Sequence, residues 1–296
     1  MSFIVGCSNA VNLSKKVSEI ANIPLAKTKI KNFPDGEIYV RIDEKLEDEN
    51  AVVIQSGYPN QNNSLLELFL TLDAIKDMEP KKVSLILTYM PYSKQDKRFK
   101  DGEPVSAGTI LKLIKSLKIN NIYAVNLHFA KGEIDFDFFN IDIKNLNAAP
   151  LIAEYVKDKY GDFITVLPGR GGSYLLSEGD IVTLETRRAE YKATGKEYFG
   201  ESNLVTNKLK DITGRTVLVL DDMVNTGGTM VKTCEMVRKS GAERVISACI
   251  HGLFVGNAIE KLENAEVDEI ISTDTVESKF SKISVAPLIA EEIKRL

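Results

Sequence analysis

Short apolar runs alternate with amphipathic stretches along the whole of this 296-residue chain. Residues 3–6, 27–31, 37–42, 51–55, 83–88 and 122–127 are runs of strand length, rich in aliphatic and β-branched side chains. Such runs, bounded by polar or turn-forming residues, predict strands. The 37–42 run follows a Pro-Asp-Gly turn signal. Residues 12–20, 64–78 and 107–117 have helical spacing; in 64–78, Leu65, Leu68, Phe69, Leu72 and Ile75 share one face. The same theme continues with a helix at 149–159 and strands at 163–167, 181–184 and 216–220. A helix at 229–239, strands at 245–250 and 268–272, and a last helix at 286–296 complete the pattern. Strands alternating with helices predict an α/β fold with mostly parallel sheets, whose ligands sit beyond the carboxyl ends of the strands. Residues 145–150 are the natural boundary between two similar halves, although the letters alone show no repeat. Residues 188–206 are polar, contain glycine and lack a period, so they read as a loop or flap.

Composition narrows the function classes. A chain of this length has room for about two domains. The net charge is −4, with no basic cluster of the kind that advertises nucleic acid or an anionic membrane. Cys7, Cys234 and Cys249 are few, scattered and odd in number, which predicts neither a disulfide framework nor a metal-thiolate site. That usage suits a reducing, cytoplasmic compartment. The opening Met-Ser-Phe-Ile-Val-Gly-Cys runs straight into a strand pattern, so neither a signal peptide nor a membrane span is expected.

Four segments carry candidate chemistry. The richest is Asp221-Asp222-Met223-Val224-Asn225-Thr226-Gly227-Gly228-Thr229, which follows the 216–220 run and precedes a helical pattern. Bare backbone N–H groups at glycines and at a helix N-terminus seat a phosphate, and an adjacent acidic pair accepts hydrogen bonds from sugar hydroxyls. Together they point to a sugar phosphate. The bland alternative is an ordinary β–α turn with Thr229 capping the helix. The second segment is Phe33-Pro34-Asp35-Gly36-Glu37. Its ring could lie on a purine and its carboxylates could accept from an exocyclic amine, or Phe33 could be a core residue beside a simple turn. The third is Lys94-Gln95-Asp96-Lys97-Arg98, whose three cations suit a polyphosphate or simply a solvated loop. The fourth is Asn126-Leu127-His128 at the end of the 122–127 run. Its imidazole could meet a metal or phosphate, or be structural.

In this order, the four segments resemble the ribose-phosphate pyrophosphokinase family, also called phosphoribosyl pyrophosphate synthetases. The likeness spans essentially the whole chain. Residues 221–229 are similar to the phosphoribosyl pyrophosphate loop of the type I phosphoribosyltransferase fold. The archaeal branch is the nearer one, given Asn126 before Leu127-His128 and Gly102-Glu103-Pro104 after the basic loop. His251-Gly252-Leu253-Phe254 matches a further family segment, read as structural.

The resemblance implies two α/β domains of phosphoribosyltransferase type, residues 1–147 and 148–285, with the helix 286–296 docking back on the first. It implies transfer of pyrophosphate from ATP to the C1 hydroxyl of ribose 5-phosphate, giving phosphoribosyl pyrophosphate and AMP, with Mg²⁺ as cofactor. It also implies a homo-oligomer in which residues 33–37 of one subunit complete the ATP site of its neighbour. By position, Phe33, Asp35, Gly36 and Glu37 would hold adenine, and Lys94, Gln95 and Asp96 would meet the rest of ATP. His128 would sit at the metal and phosphates. Asp221 and Asp222 would hold ribose hydroxyls, and Asn225, Thr226, Gly227, Gly228 and Thr229 would cradle the 5-phosphate. Arg187 would match a family arginine at the substrate phosphates; Arg187 and Arg188 are the candidate catalytic cations.

The chain departs from the pattern at four places: the segment between Gly172 and Ile181 is shortened, Lys94 replaces a usual Arg, and two further positions lose an expected group. Gly169 stands where the family has a metal-binding Asp, and Glu185 stands where it has the Lys that neutralises the transferring group. Arg170, Arg188, Lys192 and Lys196 are the cations that could compensate. The alternative is an impaired paralogue acting as a regulatory or nucleotide-binding subunit. A simple phosphoribosyltransferase is disfavoured, because it needs only one such domain.

Overall fold

Aliphatic runs form strands buried on both faces here because helices cover the sheets, as parallel sheets require. The computed structural model describes residues 1–132, 134–169, 172–184 and 212–296. The chain divides into two compact units, one made of Met1–Ala148 with Asp274–Leu296 and the other of Ala149–Thr273.

In the first unit the order is β1 (Ser2–Gly6), α1 (Val11–Ala21), β2 (Thr28–Asn32), β3 (Ile38–Ile42), β4 (Asn50–Ser56), α2 (Gln61–Lys76), β5 (Lys82–Tyr89), α3 (Ser106–Ser116), β6 (Asn121–Val125), β7 (Asp135–Asp137) and β8 (Asp142–Leu146). Its sheet runs β1-β4-β5-β6-β8-β7, parallel except for the β7–β8 edge pair. Strands β2 and β3 form a separate antiparallel hairpin. Leu85, Leu87, Ile114, Leu68 and Leu72 lie in one buried cluster between the sheet and its helices.

The second unit holds α4 (Ala149–Tyr160), β9 (Phe163–Leu167), β10 (Ile181–Thr183), β11 (Thr216–Val224), α5 (Gly228–Lys239), β12 (Arg244–Gly252), α6 (Ala258–Asn264) and β13 (Glu269–Thr273). These strands lie in the order β10-β9-β11-β12-β13, all parallel. Val217, Leu218, Val219 and Leu220 are completely buried, which makes β11 the centre of the layer.

The chain then returns to the first unit through β14 (Ser281–Ile283) and α7 (Ala286–Ile293), which packs on α1. The expectation ended the second domain at 285, but the return begins at Asp274. The Thr275 carbonyl accepts from Ser56 Oγ (2.7 Å) and Thr88 Oγ1 (2.9 Å), and Lys16 Nζ meets Asp274 Oδ2 at 2.8 Å. Lys144 Nζ holds Glu292 Oε1 at 2.5 Å. These bonds bury polar groups with partners and so cost little desolvation. They fix the crossing point earlier than the hydrophobic pattern of the last helix implies.

Four further elements were not expected: β7 and β8, the short helix α6 and β14. Strand β6 stops at Val125 rather than 127, because Asn126 takes a left-handed backbone (φ 42°).

Candidate active site

The 216–220 run continues through the acidic pair to Val224, so the aspartates stand within β11 and not beyond its end. Strand neighbours explain this: Asp221 is opposite Cys249, Met223 opposite His251 and Val224 opposite Gly252 of β12. Asp222 is 6% exposed, whereas Asp221 is half-buried. The Asp222 backbone N–H donates to Asp221 Oδ1 (2.9 Å), and the Met223 N–H donates to Asp222 Oδ1 (2.8 Å). The side chains are thereby held in one orientation. Burial pushes the Cys249 thiol up, and the negative charges of Asp221 and Asp222 push it further. The thiol beneath the pair is inert at ordinary pH.

The turn after β11 is only Asn225, Thr226 and Gly227. Gly227 precedes α5 with φ +78°, and no side chain caps the helix. Thr229 is therefore not the cap, and the bland reading fails on that point. The first amides of a helix lack intrahelical partners. With the helix dipole, amides of this kind can seat an anion. The turn is buttressed from β12: Leu253 and Phe254 N–H donate to the Val224 carbonyl (3.1 and 3.0 Å), and Val255 N–H donates to Asn225 O (2.9 Å). That gives the 251–254 segment the structural role expected of it.

The loop after β9 lies beside the same carboxylate. A Cβ built on Gly172 would stand 3.9 Å from Asp221 Oδ1. Leu175 N–H donates to Gly172 O (3.0 Å), turning the chain back so that Tyr174 sits near the pair. Position 169 is glycine, so this loop brings no carboxylate of its own there. Glu185, Arg187, Arg188, Lys192, Lys196 and Arg170 lie outside the described residues.

In the first unit, the β2–β3 hairpin carries residues 33–37 at its tip, all exposed. Phe33 is 41% exposed and so is not a core residue. Its ring meets Tyr39 edge-on at 5.7 Å, with Lys31 Nζ 5.5 Å from its centroid. The turn is tied by Phe33 N–H to Glu37 O (2.7 Å), Gly36 N–H to Phe33 O (2.9 Å) and Glu37 N–H to Asp35 Oδ1 (3.1 Å). Gly36 takes φ +95°, a conformation glycine adopts without strain.

The basic loop follows β5. Lys94 is exposed, whereas Gln95 and Asp96 are half-buried. Gln95 Oε1 accepts from Ser106 Oγ (2.6 Å), and Ala107 N–H donates to Gln95 O (3.2 Å), so Gln95 anchors the loop to the start of α3. Glu103, noted in the sequence only as part of the Gly102-Glu103-Pro104 likeness, closes the loop: its Oε2 accepts the N–H groups of Phe99 and Lys100, both at 3.1 Å. Arg98 Nε donates to the Glu103 carbonyl at 3.0 Å. His128 is half-buried just past β6, held by a clamp of asparagines. Asn126 Nδ2 donates to Asn147 Oδ1 (2.9 Å), Ala148 N–H to Asn126 Oδ1 (2.8 Å) and Leu127 N–H to Asn145 Oδ1 (2.8 Å). Buried asparagines at a strand end were the available signal for this clamp, but polar residues there look like boundary letters.

The site residues thus fall into two sets: 33–37, 94–96 and 128 in the first unit, and 221–229 in the second. Among the described residues, no three His, Cys, Asp or Glu side chains are grouped as a metal cage, and no helix is long and apolar enough to cross a membrane.

Comparison with known proteins shows the family. Residues 2–117 match the model of the N-terminal domain of ribose phosphate pyrophosphokinase, and residues 202–296 match that of the phosphoribosyl synthetase-associated domain. The ribose-phosphate pyrophosphokinase of Pyrococcus furiosus is 37% identical over 95% of this chain and 97% of its own. That of Methanothermobacter thermautotrophicus is 34% identical over 98% and 99%. The crystal structure of phosphoribosylpyrophosphate synthetase from Mycobacterium smegmatis superposes with a TM-score of 0.80 at 26% identity, covering 99% of this chain and 97% of that one. The chain belongs to the ribose-phosphate pyrophosphokinase family.

Proposed function

We propose that this protein transfers the pyrophosphoryl group of ATP to the C1 hydroxyl of ribose 5-phosphate, yielding phosphoribosyl pyrophosphate and AMP. The observation that carries the reading is the 221–229 segment: an oriented acidic pair followed at once by an uncapped, glycine-entered helix N-terminus. Family membership supports the same reaction.

In this reading Asn225, Thr226, Gly227, Gly228 and Thr229 seat the 5-phosphate, and Asp221 and Asp222 hold ring hydroxyls. Phe33 lies on adenine, with Asp35, Gly36 and Glu37 at its polar edge. Lys94, Gln95 and Asp96 meet the ribose and phosphates of ATP, with His128 at the phosphates and their metal ion. Arg187 and Arg188 supply positive charge to the transferring group. Such transfer depends on positioning and charge neutralisation more than on covalent participation.

Magnesium suits this donor set. Mg²⁺ keeps several waters and takes one or two carboxylates plus substrate phosphates, rather than a protein cage. Asp221 is the carboxylate we assign to it; the ion would supply charge to the polyphosphate. An active homo-oligomer, with residues 33–37 offered to a neighbour, and a cytoplasmic setting complete the proposal.

Glu185 and Gly169 favour a second reading, a subunit that binds but does not react. Full-length kinship with pyrophosphokinases weighs against it. Incubation of the pure protein with Mg-ATP and ribose 5-phosphate separates the two. AMP release that is absent in Asp221→Asn supports the enzyme; tight binding of both ligands with no AMP supports the subunit.

A further inference from the structure

On the β2–β3 hairpin, Lys31 is the register partner of Tyr39. Side chains alternate between the two faces of a strand, so Lys31 and Phe33 share a face with Tyr39, while Ile38, Val40 and Ile42 take the other. Ile42 is buried in the core, and α2 packs against β3. Tyr39, half-buried, therefore stands on the face turned away from the core. Its ring meets that of Phe33 at 5.7 Å with the planes 77° apart. Lys31 Nζ lies 5.4 Å from the Tyr39 centroid and 5.5 Å from that of Phe33. Phe33 is thus fenced by a ring and a cation, yet keeps 41% of its surface open. An exposed side chain without such neighbours exchanges rotamers within nanoseconds.

We infer that Tyr39 is a positioning residue for the nucleotide: with the Lys31 ammonium, it holds the Phe33 ring in the plane on which a purine stacks. This deepens the proposed function and rests on its placing of adenine at Phe33. The hydrogen bonds of the turn fix its backbone and not the Phe33 side chain. An edge-on contact is a geometry that aromatic quadrupoles favour, and an ammonium within about 6 Å of a ring centroid is drawn to that ring. A ring already held by these neighbours loses less freedom when the base arrives, so ordering offsets less of the stacking free energy.

Tyr39→Val removes the ring but keeps a residue suited to a strand. Tyr39→Phe keeps the ring and removes only the hydroxyl. Calorimetry on the full chain would measure binding of Mg-ATP and of ribose 5-phosphate to the wild type, to both variants, to Phe33→Ala and to Phe33→Ala combined with Tyr39→Val. The expected result is Mg-ATP affinity lowered about 2- to 10-fold in Tyr39→Val, as for loss of one aromatic pair, and unchanged in Tyr39→Phe. Ribose 5-phosphate should bind every variant as it binds the wild type. With Phe33 already replaced, Tyr39→Val should add no further loss for Mg-ATP, because the two rings act as one unit. Wild-type Mg-ATP affinity in Tyr39→Val, an equal loss in Tyr39→Phe, a full further loss in the Phe33→Ala background, or weakened ribose 5-phosphate binding would each overturn the assignment. Phe33→Ala separates the levels: if it leaves Mg-ATP affinity intact, adenine does not lie at Phe33 and the underlying reading fails. If it weakens Mg-ATP while Tyr39→Val does not, only the role of Tyr39 falls.

Discussion

Replacing Gly227 by alanine tests whether the backbone of the β11–α5 turn seats the phosphate. Gly227 has φ +78°, and a Cβ there would stand 3.3 Å from Ala258 Cβ and 3.5 Å from its Cα. Gly161, just past α4, is a matched control: its φ is +77°, but a Cβ would meet nothing within 4 Å. A left-handed conformation costs a residue with a Cβ roughly 1–2 kcal/mol. The stiffer unfolded chain returns about 0.4–1 kcal/mol of that. Gly161→Ala should therefore destabilise by about 0–1.6 kcal/mol. Gly227→Ala shares that penalty and adds crowding against α6, for which about 1 kcal/mol is the low end of overpacking costs. The difference between the two variants in chemical denaturation reads the crowding alone. Relief of the contact must move the turn, and with it the amides at the start of α5. Loss of one hydrogen bond to a charged group, about 1.5–3 kcal/mol, weakens ribose 5-phosphate binding roughly 10- to 150-fold. Gly161→Ala should bind normally. If both variants bind ribose 5-phosphate as the wild type does, while Gly227→Ala is destabilised as expected, the turn is not the phosphate seat.

Other predictions rest on separate observations. Phe33→Ala should leave stability nearly unchanged, because the ring is 41% exposed, but should raise the KM for ATP. Loss of one base–aromatic stack, about 1–3 kcal/mol, corresponds to roughly 5- to 150-fold; an unaltered KM would remove Phe33 from the adenine site. Burial alone would raise the Glu269 pKa, but hydrogen bonds from Lys159 (2.7 Å) and Tyr160 (2.6 Å) outweigh it and hold the carboxyl below its ordinary 4.5. Its stabilisation is complete above pH 4.5 and is lost as pH falls through the depressed folded value. Glu269→Gln should therefore flatten the acid limb of a stability–pH curve; an unchanged limb would contradict the pairing. Cys7, Cys234 and Cys249 are all buried, and burial pushes the Cys234 thiol up to about 12. A thiol reagent at pH 8 should react with none of them until the chain unfolds, and rapid reaction in the native protein would show the core to be open.

Much of the fold was legible because long aliphatic runs have few alternatives. β4, β5, β9 and β12 were placed within a residue or two, since a run such as Val-Ser-Leu-Ile-Leu-Thr can only be a buried strand between helices. Strand β8, Asp142–Leu146, was not legible: its Asn145 is buried to serve Leu127 N–H, a demand set by a distant residue. Strand β11 was cut short for a similar reason. Two acids end an apolar run on paper, but pairing with β12 carries the strand on to Val224. For the candidate site, the segments at 33–37 and 221–229 could be read because their residue types are chemically peculiar. The loop-closing role of Glu103 could not, because it acts through a turn that brings it back on its neighbours, and no local pattern announces that.

The central claim is pyrophosphoryl transfer to the sugar, and ATP labelled at its β-phosphorus tests it most directly. With Mg²⁺, ribose 5-phosphate and the pure protein, the label should leave the nucleotide and appear on the sugar, one equivalent for each AMP formed. Label that stays in ADP, or is freed as inorganic phosphate or pyrophosphate while the sugar remains unlabelled, would contradict the account.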